Sequence, residues 1–240
     1  FIVRSSLHPQ VVMPFDPRPL RADKLGSRPH PLRAEIERWA KELRIPSVEI
    51  YLGAQVPLVC MPRGRAALLV PASVTATAAT RFAVARGLLL MALSLTLPVR
   101  LTTPEFGVVF AALLRQFEPM HRMEGVDAHA VDDLARKLSR VMTRDRQAEI
   151  MPFALEVLAH GTTDPETIRA GALELGDRIA LLASGDVAGA IRLLAPEGTS
   201  PVEAARTVPA VTRLLKVALR ERFMEARLAA GSERPGAIQE

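Results

Sequence analysis

Four side chains in one short stretch are of types that ligate metals: His121, Glu124, Asp127 and His129. Imidazole and carboxylate together suit zinc and its first-row neighbours. The stretch around them, HRMEGVDAH, is a polar turn. Histidines beside acids are ordinary solvated residues in such turns, so no metal is assigned. Cys60 is the only cysteine and lies in the apolar run VPLVCMP. It reads as a buried, inert thiol, because no His or Asn constellation points to it as a nucleophile. A single cysteine also excludes an intrachain disulfide and a cysteine-based zinc site. No phosphate-binding glycine loop, G-x-S-x-G elbow or dinucleotide fingerprint occurs. Basic residues remain. Arg136, Lys137, Arg140, Arg144 and Arg146 stud one predicted helix, and Arg213, Lys216, Arg220, Arg222 and Arg227 another. Gathered on one face they would make an anion or nucleic-acid footprint, with Arg213, Lys216, Arg220 and Arg227 as the candidate anion-binding residues. Glu221 and Glu225 interleave with them, and no aromatic side chains stand by to stack on bases. A solvated helix face is the plainer reading.

The element that must position any site is the stretch from Thr75 to Leu97, TATAATRFAVARGLLLMALSLTL. It carries no charge between Arg86 and Arg100 and is apolar on every side. A helix greasy all round is a membrane span or the centre of a sizeable domain. The uncharged run is well short of the ~20 residues a bilayer crossing needs, so the pattern predicts a buried central helix. Before it, six prolines among residues 1–31 predict an extended arm. Leu32 to Leu43 predicts an amphipathic helix. Val48 to Leu52, Val56 to Met61 and Ala66 to Val70 predict a small antiparallel sheet.

After Ser73 the patterning is helical only. Thr103, Pro104 and Glu105 open a helix to about Phe117; Asp127 caps the next, which breaks at Arg144–Asp145 and resumes from Ala148. Asp164 and Pro165 open another that Gly185 closes, and Asp186 caps a short one to Leu194. Ser200, Pro201 and Glu203 open a last helix, kinked by Pro209 and running to about Ala229. The predicted class is α+β: a mostly helical body with a small N-terminal antiparallel sheet around a buried central helix. Its parts are a Pro-rich arm at 1–31, a single domain at 32–231 and a flexible tail at 232–240.

Composition bounds the answer without naming a function. At 240 residues, 49% hydrophobic and 24% charged, the chain can bury a real core, built of Leu, Val, Ala and Met since aromatics make up only 4%. The net charge is +5, but only four of the 31 basic residues are lysines. That Arg excess fits a GC-rich coding bias as well as anion binding. The chain begins at Phe1 without a methionine, as expected of a fragment or processed form. No signal peptide or membrane span is read, and a cytoplasmic location is the default.

The order helix, small sheet, ALLVPASV, then a buried helix opening Arg81-Phe82 resembles the soluble part of the HtpX-like zinc metallopeptidases. That family carries R-F-x-x-x-H-E-x-x-H on the helix. The two histidines, one turn apart, hold zinc, and the glutamate acts as general base. The matching positions here are Arg86, Gly87 and Leu90, so all three roles are gone. The family's downstream signature, E-x-x-x-D before an alanine-rich helix and a Gly-Asp turn, resembles Gly171 to Leu194. Its ligand position falls on Leu173, with Glu174 one residue off register, and its aspartate is Asp177. The resemblance implies a degenerate metal site at Arg86, Gly87, Leu90, Leu173 and Asp177, with no catalytic residues, no metal and no cofactor. It implies a non-enzyme: a peptidase-derived interaction or scaffold module with a protein partner, or within a longer chain. Binding of nucleic acid or another acidic partner through the Arg-rich helices is the alternative. In the zinc enzymes the downstream aspartate orients the first histidine. The expectation is therefore that Asp177 and Arg86 face each other.

Overall fold

The computed structural model describes residues 21–53, 59–63, 65–71, 77–161 and 164–229. Most of the Pro-rich arm, with the apolar residues Val11, Val12, Met13 and Phe15, and the tail lie outside them. The strands are β1 (Asp23–Lys24), β2 (Val48–Gly53), β3 (Val59–Arg63) and β4 (Arg65–Pro71). The helices are α1 (Arg33–Glu42), α2 (Ala78–Ala92), α3 (Thr96–Arg100), α4 (Thr103–Leu114), α5 (Ala128–Val141), α6 (Arg144–His160), α7 (Pro165–Ser184), α8 (Val187–Leu194), α9 (Pro201–Thr207), α10 (Pro209–Ala218) and α11 (Glu221–Ala229). The class is α+β, a helical body beside a small sheet near the N-terminus.

The sheet corrects one expectation. It is mixed, in the order β1-β2-β4-β3, and β2 pairs parallel with β4 while β1 and β3 pair antiparallel with their neighbours. β3 pairs with β4 on its outer edge, so β4 is the strand left to lie against β2. The described end of the arm is built into the fold: Asp23 and Lys24 pair with Leu52 and Tyr51, and Leu25 is buried.

Alternation along the strands sets the two sheet faces. Ile50, Leu68 and Val70 face α1 and α2, joining Ile36 from α1 and Val84 and Leu88 from α2. Tyr51, Ala67 and Leu69 occupy the other face. On its far side α2 packs Phe82, Ala85 and Leu89 against Ala180 and Leu181 of α7, Ala190 of α8 and Leu214 of α10. Two cores on opposite sides are what an all-round apolar helix requires. The third core lies between α4, α5 and α6, around Phe110, Leu114, Val131, Leu138 and Ile150.

Several boundaries move. α2 stops at Ala92, short of Leu97, where Ser94 takes a left-handed conformation (φ 56) and the Leu95 N–H reaches back to the Leu90 carbonyl at 2.7 Å. That closing turn is a Schellman motif without glycine, which residue types do not announce. The N-cap of α4 is Thr102 rather than Thr103, in a capping box with Glu105. Arg144 and Asp145 start α6 instead of breaking a helix, because Thr143 caps it. The last predicted helix is three helices, separated at Val208 and at Leu219–Arg220. Asp164, Gly185, Asp186 and Ser200 cap where predicted. No described helix is long and apolar enough to cross a membrane.

Candidate functional site

Thr77 caps α2, its hydroxyl accepting from the Thr80 N–H at 3.3 Å, and this fixes the register of the helix that follows. Phe82, Arg86 and Leu90 then fall on one face by the four-residue repeat. α7 begins at the Asp164 cap and lays Gly176 and Asp177 against that face, both buried. The helices come very close. A Cβ built on Gly176 would lie 2.9 Å from Leu90 Cδ2 and 3.1 Å from its Cγ. Any side chain there would force Leu90 to shift.

At this crossing Arg86 Nε lies 2.6 Å from Asp177 Oδ1. The Asp177 side chain is 8% exposed and that of Arg86 22%. The Nε–Oδ1 approach itself is not directed along an N–H. Burial pushes the Asp177 carboxyl above the usual carboxylate range, with Glu174 adding a little, against the opposing pull of Arg86 and then Arg213. A second, more exposed layer surrounds the pair. Glu174 accepts from Arg178 one turn on and lies 3.6 Å from Arg213 Nε of α10. Glu174 is thus engaged away from α2. Leu173, four residues before Asp177, is half-buried, as is Gly87.

The five positions grouped by the sequence resemblance therefore divide. Arg86, Leu90 and Asp177 meet at one helix crossing, Leu173 lies one turn before Asp177 on α7, and Gly87 adds no side chain. Chemically, a guanidinium and a leucine offer no lone pair to a metal, and Asp177 is the one ligand-type group of the set. The carboxylate is held against a fixed cation, out of water.

The other candidates do not assemble. Asp127 spends its carboxylate capping α5, accepting from His129 N at 2.9 Å and Ala130 N at 3.3 Å. His129 is exposed and 3.8 Å from Asp133, while Glu124 is exposed. His121 is half-buried, and burial followed by the nearby Arg115 lowers its pKa. No group of three or more His, Cys, Asp or Glu among the described residues could hold a metal ion. The candidate anion-binding residues spread over α10, its outgoing turn and α11. Arg213 faces Glu174, and Arg227 Nη1 donates to the Gly185 carbonyl at 3.0 Å, closing the end of α7. Sequence reasoning missed both pairings and the Gly176–Leu90 contact. Only Gly176, one residue before Asp177 in a helix, carried a signal.

In comparisons with known proteins, no family model, no curated protein and no solved structure matches this chain.

Proposed function

We propose that this chain is a non-catalytic domain descended from an HtpX-like zinc peptidase, used in the cytoplasm for protein–protein contact within a larger protein or assembly. One observation carries the reading: Arg86 and Asp177 touch. The resemblance puts the first zinc-binding histidine at Arg86 and the aspartate that orients it at Asp177. Pattern alone paired these two positions, far apart in the chain, and they are side-chain partners. Leu90, at the second histidine position, meets Gly176 beside them. In this reading the guanidinium fills the space of metal and imidazole and keeps the old aspartate neutralised. Losing the base at Gly87 removes hydrolysis, and what remains useful is the surface.

The test is zinc content and proteolysis of the purified, chelator-treated chain, given zinc and unfolded casein. The expected result is neither stoichiometric zinc nor cleavage. Zinc-dependent cleavage, or stoichiometric zinc that vanishes on Arg86→Ala or His121→Ala, would overturn the proposal.

A further inference from the structure

Away from the degenerate site, a cleft of about 610 Å³ opens where α1 overhangs the β1 edge of the sheet. Its size lies within the ~300–1,000 Å³ typical of ligand sites. Ile36 and Ala40 of α1, with Leu25 and Ile50, make an apolar floor, all four buried. The charged lining residues are unequal. Lys24 is 2.6 Å from Glu49 and Arg33 is 3.4 Å from Glu37, so both acids are paired. Lys41 and Arg44 also line the cleft and have no ion-pair partner among the described residues. Its surplus charge is positive.

Its back wall is strand backbone. The Ile50 carbonyl accepts from the Leu25 N–H at 2.8 Å, so Ile50, and Val48 two residues earlier, turn their peptide groups toward the β1 side. β1 pairs only with Tyr51 and Leu52, and the chain leaves the edge at Gly26, φ 59. Val48 is left with no strand opposite it on that side among the described residues. The outward peptide groups of Val48, beside an apolar floor, are a point from which an extended peptide can add as a strand.

Arg44 is a second, independent sign. It occupies the left-handed position that ends α1, φ 55, with Ile45 N–H returning to the Ala40 carbonyl at 2.8 Å. That position favours glycine or asparagine, so an arginine there is strained, as Ser94 is at the end of α2. Here it sets a guanidinium at the mouth of the cleft.

We infer that this cleft binds an extended acidic peptide, which adds to the free end of β2 and places carboxylates near Lys41 and Arg44. The inference gives the proposed contact role a surface and a partner chemistry. It does not depend on the peptidase ancestry, so its failure would leave the zinc test untouched, and the reverse. The experiment is fluorescence anisotropy on the full chain with labelled acetyl-Val-Glu-Val-Glu-Val-amide. Expected results are binding of this peptide, loss of binding when its alternate amides are N-methylated, and none of its Val-Lys counterpart. Lys41→Glu combined with Arg44→Glu should weaken binding by about tenfold or more. Arg44→Gly relieves the strained turn, so it should raise the melting temperature while weakening the peptide, which a purely structural arginine would not do. Binding of the lysine peptide as strongly, indifference to N-methylation, or equal competition by glutarate as a simple anion would each overturn the inference.

Discussion

Asp177 has almost no water around it and one guanidinium against it, so each half of the pair with Arg86 depends on the other. Removing either leaves a charge without a partner. Breaking a fully buried pair from one side costs roughly 3–5 kcal/mol. Arg86 keeps about a fifth of its side chain in water, so Arg86→Leu or Asp177→Leu should each cost about 3 kcal/mol, the low end of that range. The double variant should recover much of the loss, because two leucines fill a buried contact without stranding a charge. Chemical denaturation of the four proteins gives the coupling directly; additive losses would show that the two side chains do not act together. This contact was legible in the sequence because the two positions that the proposed resemblance pairs carry opposite charges. The Glu174–Arg213 contact was not, because it depends on how α10 docks on α7, and no local pattern carries that.

At the scale of elements, the α2–α7 crossing depends on Gly176. A Cβ there would meet three atoms of Leu90, at 2.9, 3.1 and 3.2 Å. Overpacking a close helix contact costs about 1–3 kcal/mol. Gly176→Ala should destabilise within that range, and shortening the opposing side chain in Gly176→Ala with Leu90→Ala should cost less than the two single losses summed. Melting curves of the set decide it, and a neutral Gly176→Ala would mean that Leu90 moves aside or that the helices stand further apart. Caps were read well from sequence at Asp127, Asp164, Gly185, Asp186 and Ser200, where the side chain or φ needed is specific to the residue type. The end of α2 was not, because Ser94 takes a conformation that serine rarely signals. Nor was the parallel β2–β4 pairing: alternation sets the faces of a strand but not its neighbour.

Across the whole molecule, α2 joins the sheet-side core to the helical core, and this follows from its lack of a polar face. Part of the arginine excess has structural work within the fold: Arg86 and Arg213 face acids, and Arg227 donates to the Gly185 carbonyl. On the proposed reading, the α2–α7 pair once held a zinc constellation where Arg86 and Asp177 now form an ion pair. If that is its history, restoring the lost groups should restore the chemistry they performed. The most direct measurement is zinc stoichiometry in the variant Arg86→His, Gly87→Glu, Leu90→His and Leu173→Glu, with Asp177 kept, beside the wild type. The account predicts stoichiometric zinc in the folded variant only, accompanied by a zinc-dependent rise in its melting temperature. A variant that folds with native helix content and still takes up no zinc would contradict it.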